Sequence, residues 1–213
     1  MPMPAFTDIT GLLGIALALG AIVIALPGVR RFSRGRVGGI FFAVMILSLV
    51  PFGQLSAAAC VRGAFGDLGI TTLVLLGGAT LRRLNGAASV ESRARFALLA
   101  FVAVAALALY PMALGIGRFD PYHLGYGSPW FLGGLFAVAL TAWFGRVHLL
   151  AVCLALATLA WSVRWYESTN LWDYLLDPLL SFYALGALVT CGVRAIRATR
   201  AVSTGDPAPA SLP

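Results

Sequence analysis

The chain has 213 residues, of which 60% are hydrophobic and only 11% charged. Soluble domains carry about 25% charged residues, so too little charge is present to cover a water-facing surface, and a soluble globular fold is excluded. The formal net charge is +7, yet the basic residues, all arginine, cluster between long uncharged stretches, as membrane orientation requires and nucleic-acid binding does not.

In chain order, Met1 to Thr10 holds one acid, Asp8, and no base. An apolar run over 9–29 follows, and the basic cluster Arg30, Arg31, Arg34 and Arg36 comes after it. A secretory signal has the opposite order, so this segment reads as a retained, reversed anchor. A crossing helix needs about 20 apolar residues, with a range of about 17–25. Charge-free runs of that kind cover 9–29, 37–61, 96–117, 124–145 and 147–163. Two shorter runs, 68–81 and 178–193, become long enough when flanking side chains snorkel to the interface.

The arginines test this count. Arg30, Arg31, Arg34 and Arg36, then Arg82, Arg83, Arg93 and Arg95, then Arg146, then Arg194, Arg197 and Arg200 fall on one side. Only Arg62, Arg118 and Arg164 fall on the other. Twelve of the fifteen therefore lie in alternate connections, which under the positive-inside rule are cytoplasmic. The expected fold is an all-α integral membrane protein. It is a bundle of seven transmembrane helices (six if 68–81 does not cross), with the N-terminus outside and the C-terminus in the cytoplasm. Residues 1–200 form one domain, and the Pro-, Ala- and Ser-rich stretch 201–213 is a disordered cytoplasmic tail.

Acids follow the opposite rule. Asp8, Asp67, Asp120, Glu167, Asp173 and Asp177 fall outside, where odd-numbered helices begin and their free N–H groups favour a carboxylate. Asp8, Asp67, Ser128 before Pro129, and Asp177 before Pro178 are the expected helix starts. Small residues at four-residue spacing, namely Gly14 and Ala18, Gly133, Ala137 and Thr141, and Ala151 and Ala155, are expected to pack the helices closely, with a dimer contact as the alternative.

Several chemistries are excluded. No ionisable residue lies near the middle of a span, which disfavours ion-coupled transport. The chain has no lysine, so no retinal Schiff base can form. His123 and His148 fall on opposite sides and cannot share a metal or haem. Cys60, Cys153 and Cys191 have no redox or zinc spacing. Gly125-Tyr126-Gly127-Ser128 is not a nucleophile elbow. No metal and no cofactor is expected.

Two outer loops remain as the candidate surface. The first carries Arg118, Asp120, Tyr122, His123 and Tyr126. The second carries Arg164, Trp165, Tyr166, Glu167, Asn170, Trp172 and Asp173, and reads as a short interfacial helix capped by Asn170. Four of the five tryptophans and five of the six tyrosines lie on this side, more than an aromatic belt at both interfaces asks for. Arg118, Tyr122, His123, Tyr126, Arg164, Trp165, Glu167, Trp172 and Asp173 are the expected ligand or partner surface, with an Arg–carboxylate network tying the loops together. The sharper reading places catalysis on His123 with Glu167 or Asp120. The expected function is a non-catalytic subunit or assembly partner of a bacterial envelope complex in the inner membrane, with membrane lipids and other membrane proteins as partners. The alternative is a membrane enzyme or uncoupled carrier for a lipid-linked or amphipathic substrate at the outer face.

Overall fold

The computed structural model describes residues 6–86 and 91–203. The described chain is almost all helix: Phe6–Ala25 (α1), Arg34–Leu49 (α2), Ala57–Phe65 (α3), Ile70–Asn85 (α4), Ser92–Ala113 (α5), Pro129–Phe144 (α6), His148–Ser162 (α7), Trp172–Leu175 (α8) and Pro178–Ser203 (α9). Three helices, α1, α5 and the Pro178–Arg197 part of α9, are long and apolar enough to cross a membrane, and α6 and α7 are shorter apolar helices. Helix α9 continues to Ser203, into the stretch 201–213 expected as a disordered tail; residues 204–213 lie outside the described residues.

Each expected run overlaps one helix of 15 residues or more, but the run 37–61 is broken. There α2 stops at Leu49, and an antiparallel hairpin pairs Pro51 with Ser56 and Phe52 with Leu55 (β1, Pro51–Phe52; β2, Leu55–Ser56). Pro51 has no N–H to donate and forces the residue before it out of helix; Val50 is extended at φ −70°, ψ 125°. Gly53 supplies the turn with a φ of 71°, which side chains resist. Ser56 then starts α3, its hydroxyl accepting from the Ala59 N–H at 3.1 Å.

The packing alternates the helix directions. The end of α1 and the start of α2 share a cluster of Ile24, Val37 and Phe41, with Leu84 near the end of α4 against it. Most arginine clusters gather at this arginine end. The starts of α1, α4 and α9 lie at the other, aromatic end. Between the ends α4 is central, with α1 and α2 on one side and α7 and α8 on the other. The main core centres on Leu98, Val102, Leu154, Ala157, Tyr174 and Leu175.

Small residues divide into two groups. On α1 they do pack: Gly14 and Ala18 are buried, and a Cβ at Gly14 would sit 3.4 Å from the Leu73 side chain of α4. On α7, Ala151 is buried but Ala155 is exposed. The expectation fails on α6, where Gly133, Ala137 and Thr141 are all exposed and a Cβ at Gly133 would meet nothing.

The helix starts are also reassigned. Asp67 does not cap α4; its carboxylate accepts from Arg62 instead. Ser128 makes no side-chain cap bond, although Pro129 does open α6. Asp177, only 3% exposed, caps two helices. Its Oδ1 accepts from the Leu180 N–H of α9 at 2.8 Å, while Oδ2 accepts from the Gly69 N–H at 3.0 Å and from the Thr72 hydroxyl at the start of α4. Substituting Asp177→Ala strands buried donors on both helices, each costing about 1–3 kcal/mol. The loss should be about 3–5 kcal/mol, or roughly 10 °C in thermal unfolding followed in detergent. Asp177→Asn turns its NH2 against one set of donors and should recover at most part of this. An unchanged midpoint in both variants would show the double cap to be incidental.

Candidate functional site

The aromatic end is built from the 117–128 and 163–177 connections. Pro111 near the end of α5 helps stop that helix, and Gly115 and Gly117 turn the chain with φ of 89° and 122°. Asp120 then accepts from the Tyr122 N–H at 2.9 Å and starts the 3-10 turn Pro121–Gly125. In the second connection, Arg164 follows α7 with φ 55°, a position usually given to glycine. The Trp165 N–H reaches the Ala160 carbonyl at 2.9 Å and the Arg164 N–H that of Trp161 at 3.0 Å, so Arg164 takes the left-handed position just after the Val163 C-cap.

The loops are tied together as expected, but not by arginine. Tyr122 donates its hydroxyl to Asp173, with oxygens 3.0 and 3.2 Å away, and Ser168 donates to the same carboxylate at 2.5 Å. Asn170 donates from Nδ2 to the Tyr122 carbonyl at 2.9 Å, and its Oδ1 accepts from the Trp172 N–H at 3.0 Å. Trp172 Nε1 donates to the Pro121 carbonyl, and the Leu171 N–H to the Gly125 carbonyl, both at 2.9 Å. Asn170 therefore works as a turn cap, as its sequence position implies. The short helix α8, however, is not interfacial. Leu171, Trp172, Tyr174 and Leu175 are buried, and Trp172 lies against Phe131 with centroids 4.5 Å apart. Burial pushes the Tyr122 phenol above its ordinary range, and the neighbouring Asp173 adds to this. Burial does the same to Tyr166 and Tyr174.

The remaining expected site residues have separate surroundings. His123 is exposed, with its ring edge against Tyr126, which itself meets Tyr122 at 5.8 Å. Trp165 packs edge-on against Phe6 of α1, and its carbonyl accepts from the Thr10 hydroxyl at 2.5 Å. Arg118 and Arg164 are exposed. Glu167 lies 4.0 Å from Arg62, while Asp120 accepts from the Tyr122 N–H. The three residues of the acid–base reading thus go to three different partners.

Arg62 was the residue that sequence reasoning missed. Every ion pair among the described residues uses it: Nη1 to Asp8 at 2.8 Å, Nε to Asp67 at 2.6 Å, and Nη2 to Glu167. The hydrogen bond to Asp67 holds the guanidinium above its ordinary, already high pKa, against the opposing pull of burial. Asp8, Arg62, Asp67 and Glu167 line an open depression of about 570 Å³ whose floor includes Leu12, Ala59, Gly63 and Gly66. The available signal was the break at Pro51 and Gly53: it frees α3 from the second span and brings Arg62 back toward α1.

Gly125 shows how closely the two loops meet. A Cβ there would overlap the Asn170 amide and sit 2.7 Å from Trp172 Cδ1. Gly125→Ala should therefore cost about 1–3 kcal/mol and lower the unfolding midpoint in detergent by several degrees. Gly133→Ala serves as the control, because a Cβ at Gly133 is unopposed, and should be near neutral; equal midpoints would contradict the close junction. No known protein family, curated protein or solved structure matches the chain.

Proposed function

We propose that the chain is a seven-span protein of a bacterial inner membrane, with its aromatic end outside, and that it serves as a non-catalytic subunit or assembly partner of an envelope complex. For the crossing helices, the support is uneven. Helices α2, α4, α6 and α7 have only 15 or 16 residues. At 1.5 Å per residue that is roughly 24 Å, against about 30 Å of hydrocarbon. Flanking arginines that snorkel, Trp130 and Trp143 at the ends of α6, and local thinning supply the difference. Apolar side chains cover the outside of the bundle, including Phe42, Ile46, Val104, Leu107, Phe136, Phe182 and Val189, as a lipid-facing belt requires.

One observation carries the subunit reading: the Gly133, Ala137 and Thr141 face of α6 is exposed, and no described residue would meet a Cβ at Gly133. Small residues let helix backbones approach closely, which is how helices associate in lipid. The fully buried residues of α6 are Leu135 and Ala142 alone, so most of its surface is free for a neighbour. At the aromatic end, the polar groups named as a surface are largely spent on holding the two loops together. Trp130 at 89% exposure and Phe52 at 87% stand out from it, as anchors to a partner or to the interface.

The enzyme or carrier alternative has one observation in its favour, the open depression beside Arg62. His123 is not among its walls.

Two experiments test the proposal. In intact cells of a cysteine-free background, a membrane-impermeant maleimide should label Glu167→Cys and Phe52→Cys but reach Gly35→Cys only after permeabilisation; the reverse pattern overturns the orientation. The paired substitution Gly133→Leu with Ala137→Leu should leave the thermal midpoint unchanged. It should also remove the higher-mass species seen by crosslinking in native membranes. Persistence of that species, or its absence in the unsubstituted protein, overturns the subunit reading. So does loss of a turnover on Ala substitution of Arg118, His123, Arg164 or Glu167 with the assembly intact.

A further inference from the structure

A second cavity lies on the flank of the bundle rather than at its end. It runs along α4 between α1 and α9 and has a volume of about 420 Å³, within the range of roughly 300–1,000 Å³ that small-molecule clefts occupy. Its long wall is apolar, formed by Leu75, Leu76 and Ala79 of α4, Ile22 of α1 and Leu179 of α9. The wall changes character toward the arginine end. Arg82 in the last turn of α4 and Arg95 in the first turn of α5 both line the groove.

Arg95 is not simply turned to water. It donates to the Tyr183 hydroxyl, and its guanidinium carbon lies 5.9 Å from the Tyr183 ring centroid. Tyr183 is five residues into α9, roughly 8 Å along it, so the guanidinium is drawn along the groove. No carboxylate of a described residue lines the cavity, and every ion pair among the described residues belongs to Arg62. Two cationic groups therefore face an apolar slot with no counter-ion. In a membrane this is costly unless an anion comes to them.

We infer that the groove holds an anionic phospholipid from the leaflet at the arginine end. Its phosphate would lie on Arg82 and Arg95, and one acyl chain along Leu75, Leu76 and Ala79. Charge complementarity selects the headgroup, and the apolar wall selects the tail. Inorganic phosphate would leave the wall bare, and a zwitterionic lipid would leave the paired guanidinium groups only partly compensated. The site rests on the membrane reading above but on neither the orientation nor the subunit role.

The test uses the full chain purified in mild detergent and titrated with phosphatidylglycerol or phosphatidylcholine of the same acyl chains, with bound lipid counted by native mass spectrometry. One phosphatidylglycerol should be retained about tenfold more tightly than phosphatidylcholine, given two arginines at the headgroup. The pair Arg82→Gln with Arg95→Gln should abolish that preference, whereas Arg36→Gln, at the same end but outside the groove, should leave it. A phosphatidylglycerol with a photoreactive acyl chain should label the peptide containing Leu75–Ala79 in the unsubstituted protein, which keeps the site testable should the double variant fail to fold. Equal affinity for the two lipids, a preference that survives in a folded double variant, displacement by inorganic phosphate alone, or labelling elsewhere overturns the site. Maleimide labelling of membrane topology decides the membrane reading independently.

Discussion

Two helix N-termini meet on one carboxylate, and the bundle is organised around that meeting. The first N–H groups of a helix have no partner within it, and inside a bundle without water each one left bare is expensive. Asp177 satisfies such donors at the start of both α9 and α4, across 108 residues of sequence. The positive ends of both helix dipoles converge on its negative charge. Close approach is part of the arrangement, since a Cβ at Gly69 would lie 3.2 Å from Asp177 Oδ2 and 3.3 Å from the Leu176 carbonyl carbon. Because α4 packs on α1 and α2, and α9 on α5, this contact ties the two halves of the chain together, beside the packing of α4 on α7 and α8.

The loops of the aromatic end follow from that requirement. Asp177 can be held still only if the segment before it is, and α8 does this by burying Leu171, Trp172, Tyr174 and Leu175. A buried segment with irregular backbone must satisfy its own polar groups. Asn170, Trp172, Tyr122 and Ser168 do so through bonds within and between the two loops, and Tyr174 closes the second loop on itself by donating to the Ser168 carbonyl at 3.0 Å. The concentration of aromatics at this end thus has a use beyond lipid anchoring. Rings fill the space between the loops, and their hydroxyl and indole groups reach backbone that no helix or sheet satisfies.

How much of this could be read from the residues depended on the range of the interaction. Features governed by local chemistry were legible: the helical character, the position of the long helices, Pro178 after Asp177 as a helix start, Asp120 as a turn cap, and Asn170 beside α8. Asp177 was read correctly for α9, three residues away, and not for α4, because a cap arriving from 108 residues away leaves no spacing to detect. Asp67 took the blame for that start only because it is adjacent in sequence. The burial of α8 was misread for a related reason: Leu171, Trp172, Leu175 and Leu176 look the same whether they face lipid or a protein core. Small-residue spacing identified faces able to pack closely, yet it could not tell the α1 face, which has Leu73 against it, from the α6 face, where no described residue would meet a Cβ at Gly133.

That last difference moves the weight of the functional question. An excess of polar and aromatic residues in the outer loops drew attention to the ends of the molecule, where soluble partners and substrates would arrive. There, however, most of those groups already serve one another, and the ion cluster at Arg62 uses its single cation on Asp67 and Asp8. Unsatisfied chemistry lies instead along the sides. Among the described residues, Gly133, Ala137 and Thr141 offer backbone-level approach without a helix to take it, and Arg82 and Arg95 offer positive charge without an anion. In water such surfaces would be unremarkable, since solvent would cover the one and screen the other. In hydrocarbon neither remedy is available. On the proposed membrane reading, these open valences point sideways, to where a neighbouring helix on one flank and a charged lipid on the other would complete the protein.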